Sequence, residues 1–545
     1  MTRFDWHNPY PTPRLPVFAR NVVSTSHPLA AQAGLRVLWQ GGNAVDAAIA
    51  AAAALTVVEP VSCGLGGDAF ALVWDGTKLH GLNASGVAPQ AWSVDYFKRR
   101  YGEAGGAAVQ PKRGWDTATV PGVVAGWEAL HGKFGRLPFG DLMAGAIDIA
   151  ERGHAVASIV ARKWAAAVPE LKDLPGFAGT FMPHGRAPLV SELVRLPGHA
   201  ATLRLLAAQG PRAFYEGEPG QRIAAFAREG GGAMTAADLA EYRPMWVEPI
   251  GKDYRGYTVH EIPPNGQGIA ALIALGILER FDLRALPRDG IDSQHLQIEA
   301  MKLAFADVYR YVADPRAMDV TPEQMLDDDY LAARAALIDP KRATHFNFGM
   351  PPAGGTIYMS VADERGMMVS FIQSNYRGFG SGIVVPDSGI ALQNRGCGFS
   401  MDPRSPNVVA GGKRPFHTII PAFVTERIDG RQAPVMSFGV MGGDMQPQGH
   451  LQSIVRMLDY GQQPQAACDA PRWKVNRDFT LDIESTFDRG VAQALEGRGH
   501  RLQAIDDPYM DFGSGQYIWK LSHDEPERGY VAASDTRRDG LAAGY

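Results

Sequence analysis

The chain has 545 residues, 46% of them hydrophobic, which is ample for a large core. Its 53 basic and 58 acidic residues leave a net charge of −5, so there is no electrostatic case for wrapping nucleic acid or coating an anionic membrane. Three cysteines, Cys63, Cys397 and Cys468, make neither a disulfide framework nor a metal-ligand spacing, and no metal or cofactor is expected.

Residues 1–20 read as an extended arm, with charges and prolines where a signal peptide needs an apolar core. The most apolar run, Ala47 to Val58, is too short to span a bilayer. A cytoplasmic protein with no membrane or nucleic-acid partner is expected. His27 to Gln40 reads as a helix closed by GGN, and Ala44 to Val58 as a second, stopped by Glu59-Pro60. In SCGLGGDAF, Gly64, Gly66 and Gly67 precede a strand, DAFALVWD. A dinucleotide-binding loop needs its glycines between a strand and a helix, so close packing is the expected role.

The middle third is mostly helical, with VAGWEALHGKFG, DLMAGAIDIAERG and AADLAEY all at helix spacing. YRGYTVHEIPP reads as a strand, followed by the loop NGQG, the helix IAALIALGILERF and a long helix from Ser293 to Val312. The last third turns to strands: TIYMSVAD, MMVSFIQS, GIALQNRG, HTIIPAFVTE and PVMSFGVMGG, then one helix, HLQSIVRMLDY. No internal repeat or low-complexity linker divides the chain, so one interwoven unit is expected.

The stretch Thr356 to Asp363 is separated from Met367 to Ser374 by Glu364-Arg365-Gly366. A three-residue connection ending in glycine is a hairpin turn, because its last position needs a left-handed backbone. With Asp363 facing Met367, Thr356 falls opposite Ser374. Ile357, Met359, Val361, Val369 and Phe371 make one core face, and Thr356, Tyr358, Ser360, Ser370 and Ser374 make the other face. Opposed side chains in such a pair lie about 4.5–5.5 Å apart. A threonine at a new N-terminus carries its own base, the α-amine, with an ordinary pKa of about 7.7–8.0. The hairpin alone favours the plainer reading, a Thr/Ser cross-strand pair that only stabilises it.

GLRVLWQGGNAVDAAIAAAAALTVVEPVSCGLGGDAFAL closely resembles the N-terminal signature of the gamma-glutamyltransferases, also called gamma-glutamyl transpeptidases. TVPGVVAGWEALHGKFGRLP, EAMKLAFADVYRYVADP, TIYMSVADERGMMVSFIQSNYRGFGSGIV, GKRPFHTIIPAF and SFGVMGG continue the resemblance in order, from about residue 22 to DTRRDG. It implies an α+β fold, the four-layer αββα sandwich of the N-terminal nucleophile hydrolases. It implies a precursor cut between Gly355 and Thr356 into a large subunit, 1–355, and a small one, 356–545, paired as a heterodimer or a dimer of heterodimers. It implies Thr356 as nucleophile and Ser374 as the hydroxyl residue beside it. Gly442 and Gly443 then give N–H groups to an oxyanion. It implies a small-molecule amide as substrate, whose acyl group passes to water or an amine.

The resemblance also places the family's glutamate-gripping positions, and these differ here. Its arginine falls at Ser85, its Asp-Asp pair at Cys397 and Gly398, its asparagine at Tyr376, and its Ser-Ser pair at His417 and Thr418. The loop from Phe399 to Lys413 is short for the family's lid. Arg395 or Arg377 is a candidate replacement cation. Three readings stay open: a gamma-glutamyltransferase-like hydrolase or acyltransferase, an acylase or amidohydrolase for a glutaryl or oxamate type of acyl group, and a non-catalytic relative.

Overall fold

The switch from a helical middle to a strand-rich last third resolves into two antiparallel sheets of seven strands each. A computed structural model describes residues 4–344, 355–505 and 512–545, the side chains of 355–357 excepted. The arm ends in β1 (Val17–Ala19) and β2 (Val22–Thr25). Helix α1 (Pro28–Trp39) starts on His27, whose Nδ1 accepts from the Leu29 N–H. Helix α2 (Ala44–Val58) starts on a capping box of Asn43 and Asp46 and is buried on every side, as its alanine-rich composition requires.

Strands β3 (Asp68–Trp74), β4 (Leu79–Ala84), β5 (Met245–Val247), β6 (Ile250–Tyr254) and β7 (Tyr257–Glu261) follow. After them come α3 (Ile269–Leu278), α4 (Ile291–Tyr311), β8 (Gly355–Ala362), β9 (Met368–Tyr376), β10 (Ala422–Ile428) and β11 (Arg431–Val440). The chain closes with α5 (Met445–Leu458), β12 (Gly515–Lys520), β13 (Tyr530–Ser534) and β14 (Leu541–Gly544). One sheet has the order β14-β2-β8-β9-β3-β4-β5, the other β1-β13-β12-β11-β10-β7-β6. Each therefore mixes strands from before and after residue 355. Helix α2 packs on β8 and β9, while α3 packs on β6 and α5 on β11.

The β8–β9 hairpin turns through Gly366 at φ +90°. Its register runs from Ile357 opposite Gln373 to Ala362 opposite Met368, as expected. At Thr356 the expectation needs correction. The register shifts between Gly355 and Ile357, and Gly355 pairs with Tyr376. The bulge thus sets both Ser374 and Asn375 across from Thr356, where simple alternation gives Ser374 alone.

The polar face of the hairpin is as buried as the apolar one. Tyr358, Ser360 and Ser370 are fully buried and meet the second sheet. The Tyr358 hydroxyl bonds those of Ser360 (2.8 Å) and Ser370 (2.7 Å). Ser360 donates to the Ser437 carbonyl (3.1 Å), and Ser437 to that of Val369 (2.9 Å). The apolar face meets α2, where Gln373 Nε2 donates to the Ala52 carbonyl.

Four elements differ from the sequence reading, the first being HTIIPAFVTE, which is strand only from Ala422. YRGYTVHEIPP holds a turn at Arg255-Gly256, both at positive φ, between β6 and β7. In GIALQNRG only Ile390–Ala391 is strand, and Arg395–Gly398 forms a 3-10 turn. Helix α5 begins at Met445 rather than His450, with Pro447 in its first turn, where a missing N–H costs nothing. Among the described residues no helix is long and apolar enough to cross a membrane. All three cysteines are free and buried.

Candidate active site

The end of β8 is located by what it crosses. A Cβ on Gly439 would fall 2.4 Å from the Tyr358 ring, so that ring lies flat on β11, and Ser360 sits beside Ser437. Two residues back along β8 is Thr356, and two residues on from Gly439 is Met441, just past the end of β11 and just before the Gly442-Gly443 turn. The expected pairing of the Thr356 hydroxyl with Ser374 lies outside the described residues. Ser374 is buried, and its Oγ accepts from the Tyr376 N–H at 2.8 Å. Tyr376 has φ +77°, a left-handed conformation that a bulky residue adopts only under constraint.

Asn375, which the sequence did not single out, has a fully buried amide with neither atom partnered among the described residues. A Cβ on Gly64 would lie 3.0 Å from its Nδ2, and one on Gly67 2.9 Å from its Oδ1. Those glycines therefore serve close packing, as expected, Gly64 against Asn375 and Gly67 against Asn375 and the Ser374 carbonyl, while Gly66 packs on the Ala391 carbonyl.

Gly442 and Gly443 have φ +118° and +62°. Their carbonyls accept from Met445 and Gln446, which starts α5. Among the described residues no acceptor bonds the N–H of either glycine. The Gly443 carbonyl also accepts from Gln267 Nε2 at 2.8 Å.

Arg395 opens the 3-10 turn and is 1% exposed. Its Nη1 donates to Thr418 Oγ1 (2.7 Å), and its guanidinium lies 4.3 Å from the Tyr376 ring centroid. Its Nε and Nη2 are buried and have no partner among the described residues, and the same holds for Arg377 Nε. Among the described residues no carboxylate makes an ion pair with Arg395. Burial lowers its pKa to about 10, against the pull of Tyr376, Asp68 and Asp444. Burial likewise raises the Tyr376 phenol to about 12.

The neighbouring positions support this arginine. His417 is fully buried, with Nδ1 accepting from the Ile419 N–H and Nε2 3.1 Å from Asp68 Oδ2. The ring proton is therefore on Nε2, donated to Asp68. The Ser85 hydroxyl donates to Asn83 (2.7 Å) and accepts from Asn265 (3.2 Å), inside a polar cluster. At Gly398 any Cβ would fall 2.5 Å from the Phe416 carbonyl, so this backbone has no room there for an aspartate.

A pocket of about 940 Å³ opens beside the turn, walled by Cys397, Gly398, Phe399, Tyr309 and Phe416. Four cations line it. Arg477 pairs with Asp444 and Arg404 with Asp402, while Lys112 and Arg310 make no ion pair among the described residues. The loop after Gly398 forms much of its wall.

Elsewhere, His295, Glu299 and His500 bring ligand atoms within 4.8 Å of one another. Lys302 Nζ donates to Glu299 (2.7 Å) and to His500 Nδ1 (3.2 Å), so an ammonium already supplies the positive charge.

A family model described as gamma-glutamyltranspeptidase matches residues 30–545. The chain belongs to the gamma-glutamyltranspeptidase family. It is 36% identical over 538 residues to the glutathione hydrolase-like YwrD proenzyme of Bacillus subtilis (strain 168), covering 96% of this chain and 98% of that one. It is 37% identical to the oxamate amidohydrolase proenzyme of Klebsiella pneumoniae, covering 95% and 97%. Its structure matches that of a cephalosporin acylase from Bacillus halodurans with a TM-score of 0.92 at 48% identity, over 99% of this chain and 98% of that one. The chain is an enzyme of this family, with an α+β fold built on antiparallel sheets.

Proposed function

We propose that this enzyme is an autoprocessing N-terminal threonine amidase whose acyl group is acidic and is not γ-glutamyl. The single observation that carries the choice of acyl group is Arg395, a buried guanidinium two of whose nitrogens bond no partner among the described residues. An uncompensated buried cation is costly, and a substrate carboxylate relieves that cost with charge-assisted bonds. The resemblance to an oxamate amidohydrolase and a cephalosporin acylase supports the same reading.

In this reading the fold is the four-layer αββα sandwich. Thr356 Oγ attacks the Gly355 carbonyl, the peptide C–N bond breaks to free the α-amine, and water hydrolyses the resulting ester. Segments 1–355 and 356–545 stay together as a heterodimer. The mature Thr356 α-amine takes the hydroxyl proton as Oγ attacks the substrate amide, and that proton passes to the leaving amine. Water or a second amine then releases the acyl group and restores the hydroxyl. Gly442 and Gly443 donate to the oxyanion, with Ser374 beside the nucleophile and Arg395, Thr418 and Tyr376 at the acyl group. His417 and Ser85 hold that wall, and Gly398 leaves it open. The basic pocket takes the rest of the substrate. Three unpaired thiols favour the cytoplasm.

The test is mass spectrometry of purified protein incubated with glutaryl, oxamate, γ-glutamyl and neutral acyl amides. Cleavage at Gly355/Thr356 and an adduct on Thr356 from the acidic amides support the reading. An intact, active chain overturns the processing, and preference for γ-glutamyl or neutral amides overturns the acyl assignment.

A further inference from the structure

Gln267 lies in the loop between β7 and α3 and is fully buried. Its loop runs alongside the segment that carries His417 and Thr418. The Gln267 N–H donates to the His417 carbonyl (2.9 Å), and the His417 N–H donates to that of Asn265 (2.9 Å). Asn265 Nδ2 donates to the Pro415 carbonyl (2.7 Å). The Gln267 side chain then reaches across the site. Its Nε2 donates to the Thr418 carbonyl and to the Gly443 carbonyl, both at 2.8 Å.

Those two carbonyls belong to the two sides of the site. Thr418 is the residue whose hydroxyl receives Arg395 Nη1. Gly443 belongs to the turn whose N–H groups face no described acceptor. Two adjoining glycines at positive φ have little conformational preference of their own, so the turn depends on what holds its carbonyls, the first N–H groups of α5 and the Gln267 amide. Among the described residues, Gln267 makes the only side-chain hydrogen bond to the backbone of either glycine. The two hydrogens of one planar amide point in fixed directions, so the Thr418 and Gly443 carbonyls are tied to one rigid group.

We propose that Gln267 is a positioning residue that couples the grip of Arg395 and Thr418 on the acyl group to the alignment of the Gly442-Gly443 turn. This rests on the reading of that turn as the oxyanion site.

The test compares Gln267→Met, equal in length but without donors, with wild type on an acidic-acyl and a neutral-acyl amide. Loss of one oxyanion donor costs roughly 10²–10³ in kcat, and misalignment of the turn should cost about 10–100-fold on both amides, with KM changed by less than about 3-fold. Combining it with Arg395→Ala should lower kcat/KM on the acidic amide by less than the product of the single effects. An unchanged kcat, or effects that simply multiply, overturns the coupling. Gln267→Glu guards against misfolding. Ionised, its carboxylate opposes both carbonyls; protonated, it can donate to one. Its kcat relative to wild type should therefore rise as pH falls, and a flat ratio overturns the proposal. Wild type with no preference for acidic amides refutes the acyl assignment alone, and the neutral amide still reads the turn.

Discussion

Asp68 and Ser374 are direct cross-strand partners on β3 and β9, and the Asp68 carboxylate holds His417 as well. Burial raises the Asp68 pKa to about 7, against Arg395, Arg414 and the Gly86 N–H, which favour the ionised form. Burial, with Arg395 and Arg414, pushes His417 well below its ordinary value. A carboxyl raised from 3.8 favours the fold while it is neutral. Its contribution is fully present below about pH 4 and is lost as pH rises through 7. His417, depressed, contributes above about pH 6.5 and loses that contribution as pH falls. Asp68→Asn keeps the shape and removes the Asp68 titration. The melting temperature of wild type minus that of Asp68→Asn should fall steadily from pH 4 to pH 7, and a constant difference would refute the assignment.

Thr356→Ala should leave one 545-residue chain on a denaturing gel, where wild type should give 1–355 and 356–545. Amino-terminal sequencing of the smaller wild-type band should begin at Thr356. Any other first residue moves the nucleophile.

Arg395→Ala should reduce kcat/KM on an acidic-acyl amide by about 30–1000-fold, the usual range for truncating one partner of a buried charged contact. A neutral amide of equal size should change by only a few-fold. Arg395→Lys should restore little, because an ammonium cannot make the forked contact of a guanidinium. Equal losses on both amides would assign Arg395 to structure rather than recognition.

Gly439→Ala should destabilise by about 1–3 kcal/mol, the cost of overpacking, since the new methyl meets the Tyr358 ring. Urea unfolding measures it. Restored stability in Gly439→Ala with Tyr358→Leu would confirm that the ring is what the methyl strikes.

The β8–β9 register, the Gly366 turn and both N-terminal helices were legible because each is set by local spacing, a cap or one left-handed residue. The bulge at Thr356 was not, because two residues against one leave the alternation on either strand unchanged. Tyr358, Ser360 and Ser370 read as a polar face, yet that face is sealed by Ser437 on a strand some 70 residues away. Asp68 was read only as the first residue of a strand and Gln267 only as part of a loop, and their meaning comes from groups contributed by the 415–418 segment and the Gly443 turn. At Ser85 and Gly398 the family's charged groups are missing from the sequence. Only the structure shows that Asn265 takes up the hydroxyl of one and the Phe416 carbonyl leaves no space at the other.

Both sheets draw strands from each side of residue 355, with β8 and β9 held between β2 and β3, and β10 paired with β7. A cut at that point creates two chains and no separable parts. Neither polypeptide owns a complete sheet, so dissociation requires breaking ladders in both layers at once. The pair should elute as one species however far it is diluted, refuse exchange with labelled free fragments, and melt in a single transition. The break changes the chemistry of one end and leaves the architecture indifferent to it.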